Sequence, residues 1–319
     1  MQNSELKLYD KKSTLKKEAK PFVKWAGGKT QLLEELASRL PSRIKTSNTI
    51  ERYVEPFVGG GAFFLYLKNN YDVKEAFLYD INMELIVGYK AIQNDVDDLV
   101  CELGKIEKEY IKLTETERKK YYYRTRDDYN EQQETFDFEN YNSNWIKRAA
   151  YLIFLNKTCF NGLFRQNKKG KFNVPFGRYK NPTICDKENL FKVHETLKNT
   201  HIFAADFKES KNFITKNTLV YFDPPYRPLN KTSNFTSYDK NGFTDEEQIR
   251  LSCFYKEMDK KGAFLLLSNS DPKNVDINDD FFDCLYANYK IERVNAKRSI
   301  NCDSAKRGNI TELLIRNYT

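Results

Sequence analysis

Apolar residues in this chain fall into two kinds of run. Some are short and unbroken, the pattern of strands buried on both faces of a parallel sheet: Ala76-Phe77-Leu78-Tyr79, Leu219-Val220-Tyr221-Phe222 and Gly262 to Asn269. His201 to Ala205 predicts another short strand. Ile291 to Ile300 and Ile310 to Ile315 predict a pair of strands joined by the basic stretch Asn301 to Asn309. Other apolar residues recur at helical spacing. Leu32, Leu33, Leu36 and Leu40 predict a helix after a glycine turn, and Trp145-Ile146, Ala149-Ala150 and Ile153-Phe154 form a helical stripe. Thr244 to about Lys260 predicts a helix opened by a Thr244/Glu247 capping box. Strands alternating with helices point to an α/β fold. From about residue 95 to 200 the pattern changes to helical segments rich in Glu, Lys and Tyr (roughly 96–130), then a polar loop. This stretch predicts a module inserted between two parts of one sheet.

The strand at 219–222 runs into Asp223-Pro224-Pro225-Tyr226. Two prolines cannot donate to a sheet ladder, so they end the strand and leave an acid at its carboxyl end. Open α/β sheets bind ligands at that edge. A carboxylate beside a carbonyl can accept both hydrogens of one amino group, while Tyr226 stacks on a planar base, an arrangement suited to an exocyclic amine of a flipped nucleobase. Taken alone, the tetrapeptide also fits a simple strand-ending turn.

Two further stretches carry candidate chemistry. Tyr53 to Phe64, containing Glu55-Pro56-Phe57-Val58-Gly59-Gly60-Gly61, passes from strand through a glycine loop into a helix, which lets backbone N–H groups approach a cofactor. Asp80 follows Gly61 by 19 residues, about the interval at which a strand-end acid holds ribose hydroxyls. Asp80 also fits as a helix cap before Met83-Glu84-Leu85-Ile86. Gly28-Lys29-Thr30 imitates the end of a phosphate-binding P-loop, but position 23 is valine where that motif needs glycine, so nucleotide triphosphate binding is rejected.

Composition narrows the class. Lys+Arg 53 against Asp+Glu 45 leaves a net charge of +8, which suits a polyanionic partner. Residues 1–20 form a lysine-rich tail. No apolar run reaches the roughly 18 residues of a membrane span, and the N-terminal stretch lacks the apolar core of a secretory signal. The cysteines are scattered, with no C-x-x-C and only two histidines. No metal site or disulfide framework is therefore expected, and a cytoplasmic location is. The loop from Asn156 to Lys180 mixes basic, amide and aromatic residues, with Lys168-Lys169-Gly170-Lys171 as a hairpin tip. Such a mixture suits reading of duplex edges and phosphates, though a plain solvated loop has the same polarity. Asn230 to Gly242, with Phe235 and Tyr238, predicts a flap near the site.

With these motifs placed, the sequence resembles the Dam-type adenine-N6 DNA methyltransferases of the alpha class, whose usual target is GATC. The matching stretches are Lys24-Trp25-Ala26-Gly27-Gly28-Lys29, Glu55 to Gly61, Asp80-Ile81-Asn82, Asn173 to Tyr179, Asp223 to Tyr226, Phe235 to Tyr238 and Arg298-Ser299-Ile300. The resemblance implies a Rossmann-like, mostly parallel seven-stranded sheet with a C-terminal β-hairpin. It places an S-adenosylmethionine-binding catalytic domain at 21–94 and 201–319, and an inserted, mainly helical DNA target-recognition domain at 95–200. It further implies that the cofactor is held by Trp25, Lys29, Glu55, Phe57, Gly59, Gly61, Asp80, Asp206, Phe207 and Asp223. Catalysis would rest on Asp223, Pro224 and Tyr226. Lys24 and Tyr179 would lie near the first guanine of the target and Arg165 at the other. Leu163 and Pro175 would touch thymine methyls, Phe160 would wedge into the duplex, and Arg178 would support the contact, with Asn161 and Asn167 also on the DNA side.

Phe160 departs from the tyrosine common in relatives, and the 110–140 stretch is longer than in compact members. Cytosine-N4 methylation uses the same amine geometry and is the nearest rival, followed by a DNA-binding relative without catalysis. Double-stranded DNA is the expected partner. A monomer or weak dimer is expected, as either a solitary methylase or one encoded beside a restriction endonuclease.

Overall fold

The computed structural model describes residues 18–227, 243–297 and 309–319. Seven strands form one sheet: β1 (Thr49–Glu55), β2 (Asp72–Asp80), β3 (Thr200–Ala204), β4 (Leu219–Phe222), β5 (Phe264–Ser270), β6 (Lys290–Lys297) and β7 (Asn309–Arg316). Their order is β3-β2-β1-β4-β5-β7-β6, with β1 to β5 parallel and β7 antiparallel to both β5 and β6. The mixed α/β architecture and terminal hairpin agree with the sequence reading.

The strands lack polar alternation because both faces of the sheet are covered. Tyr53, Leu78, Leu219, Tyr221 and Leu266 point into one apolar cluster; Val54, Phe77, Val220, Phe222, Leu265 and Leu267 point into the other. Side chains of a strand face alternately, so each strand is shared between the two cores. The second core is closed by α9 (Asp245–Lys260) through Leu251, Phe254, Tyr255 and Met258.

The first core extends well beyond the sheet. It takes in α3 (Ala62–Asn70) and α4 (Met83–Asn94), then α5 (Val96–Tyr110), α6 (Glu115–Gln132), α7 (Asn144–Thr158) and α8 (Lys187–Thr196). All but α3 of these lie between β2 and β3 in the chain. At their centre is a buried ion pair: Arg148 of α7 donates from Nε to Glu84 of α4 at 2.7 Å. Its guanidinium also lies 4.3 Å from the Tyr129 ring centroid and 4.8 Å from that of Phe136.

Several local expectations are refined. The Leu32–Leu40 helix is only the short α1 (Leu33–Ser38), followed by α2 (Ser42–Ser47) after Pro41. Thr244 does cap α9, accepting from Glu247 N, but the Glu247 carboxylate turns to Arg250, so the predicted box is half made. A complete capping box occurs at Thr114/Glu117, opening α6. The predicted flap at 230–242, the 298–300 motif and nearly all of the basic tail and the 301–309 loop lie outside the described residues. Among described residues, no helix is long and apolar enough to cross a membrane.

Candidate active site

Strand order reverses between β1 and β4, and the crevice at such a switch point is where an α/β sheet binds ligands. The glycine loop leaves β1 on one side of it; the Asp223–Tyr226 turn leaves β4 on the other. Register Tyr53↔Leu219 and Val54↔Val220 brings the two turns side by side at the same edge.

The loop after β1 needs its glycines. Gly59 and Gly61 have φ of +48° and +67°, the left-handed region that costs a side-chain-bearing residue. A Cβ at Gly61 would lie 2.5 Å from the Tyr89 hydroxyl, which donates to the Gly59 carbonyl at 3.1 Å. The Trp25 indole packs against Gly59 from the other side. Asp80 closes the loop: one oxygen accepts from Gly59 N at 3.0 Å, the other from Asn82 N at 2.8 Å. Asn82, not Asp80, is the cap of α4, accepting from Glu84 N and Leu85 N. Burial pushes the Asp80 carboxyl up to about 6, against the pull of the Asn82 and Gly59 amides. Glu55 is buried and accepts from Tyr53 Oη at 2.8 Å. Its pKa is raised well above the ordinary carboxylate value by burial, only partly countered by that hydroxyl.

On the other side, Asp223 Oδ1 accepts from Ser268 Oγ at 3.0 Å and lies 2.6 Å from Lys29 Nζ. Ser268 is in turn 2.8 Å from the Tyr221 hydroxyl. Burial raises the Asp223 pKa, while Lys29 and Ser268 oppose it. The Lys29 ammonium sits 4.3 Å from the Tyr226 ring centroid and donates to the Gly27 carbonyl at 2.8 Å. Lys29 is therefore on the Asp223–Tyr226 side of the crevice. Tyr226 donates its hydroxyl to Glu312, which β7 brings to this edge opposite Ser270. Gln248 of α9 donates to the Pro225 carbonyl at 3.2 Å and accepts from Asn269 at 3.2 Å. Pro224 is buried between these anchors.

Asp206 and Phe207 follow β3 at the same edge. Phe207 packs with Phe57 and Phe243, ring centroids 5.4 and 6.4 Å away. Asp206 receives two hydrogen bonds from Arg250, at 2.9 and 2.7 Å. Burial alone would raise its pKa, but Arg250 holds it below the ordinary value. The Arg250 guanidinium covers the Phe207 ring at 4.2 Å.

The 156–180 loop flanks the crevice. Trp25 stacks on Phe164 at 5.0 Å, and Lys24 Nζ donates to the Asn161 carbonyl at 2.8 Å. The Asn156 amide joins both segments, donating to the carbonyls of Lys24 and Gly162. Phe160 is 55% exposed and Tyr179 40% exposed, the large rings turned outward from this loop. Lys24, Asn161, Arg165, Asn167, Pro175 and Arg178 are exposed as well, and Leu163 is half-buried. Arg165 Nε donates to Asn173 Oδ1 at 2.8 Å. The Asn167 side-chain Oδ1 accepts from Lys169 N and Lys171 N, so this residue shapes the predicted hairpin tip.

Sequence reading missed Ser268, Glu312, Gln248 and Arg250. Glu312 could have been suspected as a charge inside an apolar strand. The others carry no local signal, because the site partners they hold are 23 or more residues away. Among the described residues, no group of three or more His, Cys, Asp or Glu is placed to hold a metal ion.

The chain is also similar to known proteins. Residues 25–300 match the family model for D12 class N6 adenine-specific DNA methyltransferases. A type II methyltransferase, M.MjaIII of Methanocaldococcus jannaschii, is 51% identical over 94% of this chain and 100% of its own length. M1.LlaDCHI of Lactococcus lactis is 36% identical over 94% of this chain and 95% of its own. The DNA adenine methylase of Escherichia coli is 34% identical over 93% and 95%. Match and motifs span nearly the whole chain, which belongs to the D12 class N6 adenine-specific DNA methyltransferase family.

Proposed function

We propose that this DNA adenine-N6 methyltransferase takes its methyl group from S-adenosylmethionine and delivers it to an adenine swung out of a GATC duplex. The supporting observation is the placement of Asp223 and Tyr226 across one crevice from the Gly59–Gly61 loop and Asp80. The donor side fits such a cofactor. Acids stand at or just past the ends of β1, β2 and β3 (Glu55, Asp80, Asp206), suited to hydroxyl and amino groups, and Phe57 with Phe207 offers an apolar wall for a purine. Trp25 walls the glycine loop, and the raised Asp80 carboxyl is ready to gain from further donors. When bound, the cofactor supplies an electrophilic methyl group.

Adenine N6 is a weak nucleophile because its lone pair is delocalised into the ring. Asp223 and the Pro224 carbonyl accept its two hydrogens and draw the nitrogen towards tetrahedral geometry, freeing the lone pair. Tyr226 stacks on the base, worth about 1–3 kcal/mol. The Lys29 ammonium lies over the Tyr226 ring and against Asp223, so a base whose amine bonds Asp223 competes with it there. Most of the rate comes from holding nitrogen and methyl in line.

The target-recognition module is residues 95–200, with the exposed 156–180 loop facing the duplex. Lys24 and Tyr179 lie at the first guanine, Arg165 at the second, Leu163 and Pro175 at thymine methyls, and Phe160 wedges between bases. Arg178, Asn161 and Asn167 support the loop or its phosphate contacts. The protein acts in the cytoplasm as a monomer or weak dimer, and the type II names of its relatives favour a role beside a restriction endonuclease.

Nucleoside analysis of a treated GATC duplex is expected to show N6-methyladenine, and N4-methylcytosine would reject the reading. Asp223→Ala is expected to lower turnover by at least about a thousandfold while duplex affinity stays within a few fold. Retained turnover would remove Asp223 from the mechanism.

A further inference from the structure

Helix α6 carries no aliphatic residue among Glu115–Gln132, yet one of its sides is buried through Tyr122, Thr125 and Tyr129. With Arg118, these positions share one helical face. What this face holds is main chain from the 156–180 loop. Tyr122 Oη donates to the Val174 carbonyl at 2.7 Å. The Asn130 amide clips Phe172 from both directions, accepting from its N–H at 2.7 Å and donating to its carbonyl at 3.0 Å. Arg118 donates to the Lys180 carbonyl at 2.7 Å, while its other nitrogens cap the Tyr110 and Ile111 carbonyls at the end of α5. Rings complete the seat: Phe176 lies 5.6 Å from Tyr122, and Phe172 6.4 Å from Tyr129.

The loop needs such a seat. Among described residues its sheet-like pairing is limited to the isolated bridges Gln166↔Phe172 and Cys159↔Phe176. A few main-chain bonds, such as Phe160 N to the Pro175 carbonyl at 2.8 Å and Asn173 N to the Arg165 carbonyl at 3.1 Å, tie the loop to itself, and side chains of α6 take Phe172 N–H and the carbonyls of Phe172, Val174 and Lys180. Their placement fixes which residues face inward. Phe172, Val174 and Phe176 are 2%, 4% and 7% exposed. Asn173 and Pro175 therefore face the other way, and Asn173 holds Arg165. A slip of one residue would exchange the two sets.

We propose that α6 is the template that sets the register of the reading loop, with Tyr122, Asn130 and Arg118 as positioning residues for target-site discrimination. The inference rests on the reading of the 156–180 loop as the DNA-contacting surface. It gives the long, polar 110–140 stretch a role: α6 holds the chain that touches the duplex through backbone contacts that leave the loop's outward side chains free to vary.

The test compares kcat/KM on a GATC duplex with kcat/KM on duplexes altered by one base pair. Tyr122→Phe/Asn130→Ala removes the hydroxyl and the amide but keeps the packed ring. Its discrimination ratio is expected to fall about tenfold, since one base contact is worth about 1–3 kcal/mol. S-adenosylmethionine affinity, measured by calorimetry, is expected to stay within about twofold and reports an intact fold. An unchanged ratio, or an equal loss on every duplex, overturns the inference. If the double variant does not fold, Tyr122→Phe alone creates no cavity and is expected to lower the ratio about threefold; an unchanged ratio overturns it equally. Arg165→Ala separates the two levels. If it collapses discrimination while the α6 variants do not, the α6 role fails alone; if it leaves discrimination unchanged, the loop reading fails and takes the α6 role with it.

Discussion

At the sheet edge the Asp223–Tyr226 turn is held by side chains growing from strands and from a helix packed on them: Ser268 on β5 at Asp223, Glu312 on β7 at Tyr226, and Gln248 on α9 at Pro225. In the 156–180 loop the direction is reversed, and the main chain is what is held, by side chains of α6 and by Asn156. The first arrangement fixes individual functional groups to within a hydrogen bond. The second fixes a path and leaves outward side chains free to change. On the function proposed above, chemistry common to every target falls where positions are stiffest, and recognition where side chains can be exchanged without disturbing the scaffold.

The Glu84–Arg148 pair ties α4, packed on the sheet, to α7, which leads into the loop, and breaking it carries the largest expected cost. Arg148→Ala leaves the Glu84 carboxylate buried without its partner and is expected to lower stability by about 3–5 kcal/mol, measured by urea denaturation. A loss under about 1 kcal/mol would mean that the regions hold together without it.

A smaller effect separates the donor side from the base side by pH. With its carboxyl pushed up to about 6, Asp80 becomes protonated as pH falls through that value, so it loses its charge and one oxygen turns from acceptor to donor. Donor affinity is therefore expected to weaken about tenfold for each pH unit below about 6, and Asp80→Asn to abolish that dependence. Titration calorimetry between pH 5 and 8 checks it (about the range over which such a group changes charge), and a flat profile would detach Asp80 from the donor.

The smallest effect belongs to the cap of α6. Thr114→Ala removes the capping box and is expected to cost about 1 kcal/mol of stability by denaturation, with turnover on the GATC duplex unchanged.

How much of this was legible beforehand depends on the range of the interactions involved. The strands at 76–79, 219–222 and 262–269 announce themselves because a sheet covered on both faces demands unbroken apolar runs. The glycine loop, the Asp223–Tyr226 turn and the family follow from residues adjacent in the chain, where only glycine tolerates the backbone and proline ends the ladder. Other expectations bent to three-dimensional context. Asn82 took the cap from Asp80 because Asp80 is engaged with Gly59, and Glu247 left its capping role for Arg250.

What the sequence determined by itself is the order of elements, the class of fold and the edge at which the glycine loop and the Asp223–Tyr226 turn emerge, since each depends on neighbours within a few residues. Tertiary structure alone decided that Lys29 rests on Asp223, that Glu312 reaches Tyr226 and that a helix of tyrosines and charges cradles the 156–180 loop. Those contacts join residues 42 to 194 positions apart. Hydrogen bonds and ion pairs of that span leave no period in the chain, because only the folded backbone brings their partners within reach.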